Sequence, residues 1–161
     1  MKQLAILLLL ASMLNGCSSS SSTAAQAAAN GTWQAVLTGG MATASGLSFN
    51  TQFTVSSDGR LSIESFQFLT ANGCFPDTEG GESGTMVLTV DTTSEQVTGP
   101  FSYTVQGNGN TLTLSGNVTA TENGTTLVNP SITGTWALTG GNGCNDATGG
   151  SFTMSQPTTT T

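Results

Sequence analysis

The residues of this chain that could take part in chemistry are three cysteines, nine carboxylates and very few bases. Among 161 residues the only cationic side chains are Lys2 and Arg60, and histidine is absent. Histidine is the commonest general base and metal ligand, and a Ser nucleophile without it would need Lys as its base. The acids lie mainly in turns and loops, with no obvious inward partner for a catalytic pair. The sequence therefore predicts a protein that is not an enzyme and that uses no cofactor.

Four of the carboxylates follow the second and third cysteines: Asp77, Glu79, Glu82 and Asp146. If a link between these cysteines brings the two loops together, the carboxylate oxygens form a weak Ca²⁺ site, because calcium prefers oxygen ligands. The spacing matches no EF-hand loop. The alternative interpretation is a solvated acidic loop with no metal.

The N-terminus has the organisation of an export signal. Met1-Lys2-Gln3 is a short basic start, and residues 4–14 are an apolar stretch. A bilayer span needs about 20 residues, so this stretch fits the hydrophobic region of a signal peptide better than a membrane helix. It ends in Leu14-Asn15-Gly16-Cys17, which resembles the lipobox of bacterial lipoproteins. The alternative is an ordinary signal peptide with a free cysteine nearby.

The resemblance to bacterial lipoproteins implies cleavage after residue 16 and lipidation of Cys17 by palmitate-type acyl chains. Several acyl chains anchor a protein firmly, at about 0.8 kcal/mol per buried CH₂. In the same family, Ser18 in place of Asp implies the outer membrane. We therefore expect residues 1–16 to be the signal peptide and residues 17–29, rich in Ser and Ala, to be a flexible tether. Nothing in the alanine pattern suggests that a turn of helix there would be buried.

From residue 30 to residue 156, apolar residues recur at every second position, for example at Leu47, Phe49, Phe53 and Val55. This period indicates strands with one buried face. Eight strands are predicted near 31–38, 47–56, 60–69, 84–91, 97–106, 110–120, 126–139 and 150–156. A phase change in the third strand predicts a bulge near Glu64-Ser65, and turn signals such as Asn108-Gly109 favour hairpins. The fold class is therefore all-β, an antiparallel meander forming a barrel or a sandwich, with a frayed tail at 157–161.

The domain contains two pairs of segments with matching sequences. Gly31-Thr32-Trp33 recurs as Gly134-Thr135-Trp136, and Asn72-Gly73-Cys74 recurs as Asn142-Gly143-Cys144. In an eight-stranded barrel the two cysteine loops lie at the same end, four strands apart. Matched cysteines in an exported protein predict a Cys74–Cys144 disulfide, which closes about 70 residues and contributes about 4 kcal/mol by the chain-entropy model. Free thiols with a redox role are the alternative, although neither cysteine has a basic neighbour.

The Gly-x-Trp motif at residues 31–33 resembles the first strand of lipocalins, which are eight-stranded cups for small apolar ligands. That resemblance implies a ligand lumen lined by large apolar side chains: Trp33, Phe49, Phe53, Phe101 and Trp136. Alternatively, Trp33 and Trp136 are core plugs at the two ends of the barrel. Pattern alone leaves open whether the lumen is filled, because an eight-stranded barrel holds either its own side chains or one small ligand.

Charge and composition limit the partners. A net charge of −7 argues against nucleic acid and against electrostatic attachment to anionic membranes, so we expect membrane contact through the N-terminal lipid. A transmembrane barrel is disfavoured by the single Tyr and the absence of aromatic girdles. Our first hypothesis is a non-enzymatic, lipid-anchored protein of the bacterial cell envelope that acts as a structural or interaction module with an envelope protein partner. The alternative is a lipocalin-like binder of a small apolar ligand.

Overall fold

The computed structural model describes residues 20–21, 23–40, 44–76, 81–140, 144 and 149–157. Within these ranges the chain is almost entirely antiparallel β-structure, with one short α-helix, α1 (Thr23–Ala28), and one 3₁₀ turn (Ala44–Leu47). The strands are β1 (Ser20–Ser21), β2 (Gly31–Thr38), β3 (Phe49–Val55), β4 (Leu61–Phe68), β5 (Gly81–Met86), β6 (Thr89–Asp91), β7 (Gln96–Gly107), β8 (Asn110–Asn123), β9 (Thr126–Thr139) and β10 (Gly149–Ser155).

The strands form an antiparallel meander that curls into a nearly closed barrel of eight strands, where β5 and β6 together are counted as one strand. Apart from β4 and β5, each strand of the barrel pairs with the next along the chain, and the last strand, β10, pairs with the first long strand, β2. Closure is incomplete between β4 and β5, where the described residues show one bridge, from Arg60 to Thr85. The predicted all-β antiparallel fold is confirmed, as a barrel-shaped sheet.

The predicted fourth strand, 84–91, is interrupted at Val87 and Leu88, so that β5 and β6 both pair with β7. Pro100 lies opposite this break and has no N–H to donate to the ladder. The amide of Val87 still donates to the carbonyl oxygen of Pro100, at 3.2 Å. The missing donor of Pro100 thus explains why one predicted strand became two.

The bulge predicted in the third strand is present in β4. Gln52 of β3 pairs with Ser65, whereas Phe53 pairs with Ile63, which leaves Glu64 as the extra residue. The turn between β7 and β8 also follows its sequence signal: Asn108 and Gly109 have φ values of 50° and 71°, as a type I′ hairpin requires.

The segment expected to be a flexible tether ends earlier than predicted, because residues 23–28 form α1 and this helix is packed on the barrel. The side chains of Ala25 and Ala29 are fully buried, and that of Gln26 is 2% exposed. The indole Nε1 of Trp33 donates to the carbonyl oxygen of Ala29 at 2.9 Å. Alanine is small enough to lie directly against the core, so Ala25 and Ala29 are buried, whereas Ala24 and Ala27 are exposed. Because all four are alanines, no apolar periodicity in the sequence could have told them apart.

The barrel has two distinct ends. The helix end carries α1, the β3–β4 turn and the β6–β7 turn. At that end the Asn30 side chain accepts a hydrogen bond from the amide of Val55 at 2.7 Å. The disulfide end carries the β4–β5 and β9–β10 connections, in which Cys74 and Cys144 lie.

Candidate functional site

The disulfide end is closed by a covalent link between two loops. Cys74 and Cys144 form a disulfide with their Cα atoms 5.1 Å apart and a sequence separation of 70. These cysteines belong to the β4–β5 and β9–β10 connections, and β4 stands four strands from β9 in the sheet order. The pairing predicted from the repeated Asn-Gly-Cys segments is confirmed, and the link ties opposite sides of the barrel together.

Asn110, the first residue of β8, forms hydrogen bonds with both cysteines of this disulfide. Its side chain is 2% exposed, and its Nδ2 donates to the carbonyl oxygen of Cys74 at 2.8 Å and to Cys144 Sγ at 3.8 Å. The sequence pattern placed Asn110 at a hairpin turn and at the start of the predicted strand 110–120, with no role in a site. Because both contacts join residues more than 30 positions apart, no local pattern could have marked Asn110 as part of the site.

An open cleft of about 580 Å³, here called the Phe75 cleft, lies beside the Cys74 loop. Its lining comes from the end of β4 and the loop that follows: Gln67, Phe68, Thr70, Ala71, Asn72, Gly73, Phe75 and Pro76. Phe68 and Phe75 stack, with ring centroids 5.2 Å apart and planes at 24°. A cleft lined in part by two aromatic side chains suits a small apolar ligand or an inserted apolar side chain.

The loop around the Phe75 cleft is held in place by Asn72. Its Oδ1 accepts a hydrogen bond from the amide of Phe75 at 2.9 Å, and its Nδ2 donates to the carbonyl oxygen of Gly46 at 3.1 Å. Phe75 itself is 3% exposed. These contacts join the loop to the 3₁₀ turn and give the cleft fixed walls.

The five side chains predicted to line a ligand lumen are packed against the core. All of them are at most 2% exposed: Trp33, Phe49, Phe53, Phe101 and Trp136. Trp33 stacks on Phe53 with ring centroids 6.0 Å apart, and Phe49 stacks on Tyr103 at 5.4 Å. The Nε1 of Trp136 donates to the carbonyl oxygen of Thr38 at 3.0 Å. Both indoles are therefore buried in the packed interior.

The barrel contains one buried phenol, Tyr103, which the sequence analysis did not single out. Its hydroxyl lies 2.8 Å from Thr51 Oγ1. Since Thr51 Oγ1 itself donates to the carbonyl oxygen of Ser65 at 3.1 Å, the phenol is the donor between the two hydroxyls. Burial raises the pKa of Tyr103 well above the ordinary value of 10.0, and the charge of Glu82 raises it further. Tyr103 is therefore a neutral, structural group at physiological pH.

The predicted calcium ligands are only partly described. Asp77, Glu79 and Asp146 lie outside the described residues, as does the predicted lipidation site, Cys17. Glu82 is described: it lies in β5 opposite Val105, and its side chain is half-buried. Within the described ranges, no three carboxylate, thiol or imidazole side chains gather in a way that could hold a metal ion.

Comparison with known proteins adds no family to this picture. No protein-family model matches the sequence, and no curated protein matches it. In the part of the chain that is described, no helix is both long and apolar enough to cross a bilayer.

Proposed function

We propose that the protein is a lipid-anchored lipoprotein of the bacterial cell envelope, at the outer membrane, that acts as a non-enzymatic interaction module. The observation that carries the proposal is the packing of the barrel interior, where the five side chains of the expected lumen are at most 2% exposed. A protein that carries a small ligand inside the barrel needs an empty lumen. A barrel filled by its own side chains has only its outer surface available for contact with a partner. The anchor itself is supported by the sequence Leu14-Asn15-Gly16-Cys17.

The outer surface of β7, β8, β9, β10 and β2, here called the outer wall, favours a partner without charge. Glu122 is the only charged side chain in these five strands. Hydroxyl residues lie in register across the wall, and one row contains Ser102, Ser115, Thr135, Ser151 and Thr38. Such a surface offers hydrogen bonds without long-range electrostatic attraction. It therefore suits contact with a neutral envelope component better than contact with a highly charged polymer.

The lipid anchor is tested by replacing Cys17 in a host that exports and lipidates proteins. The unaltered chain is expected to incorporate an alkyne-labelled palmitate and to fractionate with the outer membrane, whereas Cys17→Ser loses both properties. The matched control is Cys74→Ala/Cys144→Ala, which removes the other two cysteines and keeps the label. Membrane fractionation of Cys17→Ser at the level of the unaltered chain would overturn the anchor.

A second candidate function is binding of a small apolar ligand, and the Phe75 cleft is the observation that favours it. Because the interior is packed, this site would lie at the disulfide end rather than inside the lumen. The probe is the dye 1-anilinonaphthalene-8-sulfonate, whose fluorescence rises in apolar sites. Ala71→Trp, which fills the cleft, is expected to reduce the signal, and Thr133→Trp on the outer wall is the control. Equal signals from the two variants would remove this candidate.

A further inference from the structure

We infer that the barrel stands on the membrane in one orientation, with its helix end toward the lipid and its disulfide end, including the Phe75 cleft, facing away. The inference rests on the proposed lipidation of Cys17 and deepens it by naming the surface that faces the bilayer. It follows from where the described chain begins on the barrel. The partner of the helix end is the lipid surface to which the chain's own anchor attaches.

The first argument is the length of chain between the anchor and the barrel. Ser20 and Ser21 pair with Val90 and Thr89 of β6, so the chain reaches the barrel at residue 20. Three residue steps separate Cys17 from Ser20, and an extended chain spans at most about 3.6 Å per residue. The lipidated residue therefore lies within about 11 Å of the β1–β6 pair. A flexible tether of twelve residues would instead reach about 20 Å on average.

The second argument is independent of β1 and uses α1. This helix is fixed to the core through the buried side chains of Ala25, inside the helix, and Ala29, which directly follows it. Its first residue, Thr23, lies six residue steps from Cys17, which limits the distance to about 22 Å even for a fully extended chain. Both attachment points, β6 and α1, belong to the helix end. The disulfide end cannot be turned toward the lipid on so short a connection.

The charges of the helix end indicate that it faces the bilayer without entering it. Its turns and strand ends carry Asp58, Asp91, Glu95 and Glu122, and Asp58 forms an exposed ion pair with Arg60 at 3.3 Å. The hydrogen bond from Ser56 lowers the pKa of Asp58, and the hydrogen bond from the amide of Thr93 lowers the pKa of Asp91. Asp58 and Asp91 therefore stay ionised, and ionised carboxylates are repelled by anionic lipid. The lipid anchor therefore holds the helix end close to the bilayer, while the negative charge of its carboxylates keeps that end in the aqueous phase.

The orientation is tested with two single labels on the lipidated full chain. Thr125→Cys places one label in the β8–β9 turn at the helix end, and Thr139→Cys places the other at the last residue of β9, at the disulfide end; both residues are exposed. At about 3.3 Å per residue and a strand tilt near 40°, the two sites differ in height by about 35 Å. A donor dye is attached to each, and energy transfer is measured to rhodamine-labelled phosphatidylethanolamine in phosphatidylethanolamine–phosphatidylglycerol vesicles.

Transfer is expected to be several-fold stronger from the label at residue 125 than from the label at residue 139. A ten-residue Gly-Ser insertion between Ser18 and Ser19 frees the barrel and is expected to shrink that difference. Equal transfer from the two sites, in protein that floats with the vesicles, would overturn the orientation and leave the anchor intact. Failure of the protein to float with the vesicles would overturn the anchor and the orientation together.

Discussion

The rings of Phe101 and Phe152 meet inside the barrel with their centroids 6.3 Å apart, although two strands lie between them in the sheet. The residues that separate them in the same row are Gly116 and Gly134, which pair with each other and with the two phenylalanines. Because the two middle strands have glycine in this row, the phenylalanine rings from the flanking strands meet over the glycine backbone. The sheet can then curl tightly here while the interior stays filled.

Gly134→Ala is therefore expected to lower the free energy of unfolding by about 1–3 kcal/mol, as overpacking of a core does. A Cβ at this position would overlap the carbonyl oxygen of Ser115 and the Cα of Gly116, which are backbone atoms and yield little. Urea unfolding followed by tryptophan fluorescence measures the change. Thr133→Ala, at the adjacent exposed position, is the control and should change stability by about 0.5 kcal/mol or less. Equal stability of Gly134→Ala and the unaltered chain would contradict the packing argument.

The titration of Tyr103 can be measured without interference, because it is the only tyrosine of the chain. Its pKa is raised in the folded protein by burial and by the charge of Glu82. We expect phenolate absorbance at 295 nm to stay absent in the folded protein at pH values where the denatured chain already titrates, near pH 10. Phenolate formation in the native protein near pH 10 would show that the phenol is accessible.

The raised pKa of Tyr103 also predicts the sign of the alkaline pH dependence. The folded state holds the phenolic proton more tightly than the unfolded state, so this contribution to stability is complete below pH 10 and is lost as pH rises above it. Tyr103→Phe should weaken that alkaline loss. At neutral pH the same variant should cost about 1 kcal/mol, because the hydrogen bond to Thr51 is removed. Unfolding curves at pH 7 and pH 11 compare the two chains.

Reduction of the Cys74–Cys144 disulfide is expected to lower the free energy of unfolding by about 4 kcal/mol, because the unfolded chain regains the entropy of a loop of about 70 residues. Thermal unfolding with and without reductant measures the loss. Cys74→Ala/Cys144→Ala should resemble the reduced protein and respond no further to reductant. An unfolding temperature that ignores reductant in the unaltered chain would mean that the link contributes nothing.

The helix α1 offers a matched pair of substitutions. Ala25 is fully buried, whereas Ala27 is exposed in the same helix. Ala25→Lys should cost about 3 kcal/mol or more because it buries an unpaired charge, and Ala27→Lys should change stability by about 0.5 kcal/mol or less. The emission of Trp33, whose indole bonds to Ala29, should shift to longer wavelength in Ala25→Lys alone. Similar stabilities for the two variants would show that α1 is not part of the folded barrel.

Much of the fold could be predicted because its determinants are local. The period-two pattern through Phe49, Phe53 and Val55 marks a half-buried strand within a few residues, and Asn108-Gly109 selects a hairpin turn by its backbone preferences alone. The bulge at Glu64 was visible as a change of phase in the same pattern. The disulfide was predictable for a different reason: the repeated Asn-Gly-Cys segments marked two equivalent loops, and the meander placed them at one end.

The features that only the tertiary structure decided depend on contacts between distant parts of the chain. Ala25 and Ala29 have the same side chain as their exposed neighbours, and their burial depends on the barrel end to which Trp33 and Val55 belong. Asn110 and Tyr103 form hydrogen bonds with residues more than 30 positions away in the sequence. Whether side chains fill the lumen depends on how tightly the eight strands of the barrel curl. Sequence therefore determined which residues face inward and which loops are linked, because those depend on alternation and on repeats. The packed interior and the short connection to the helix end follow from three-dimensional closure of the sheet, which no local pattern encodes.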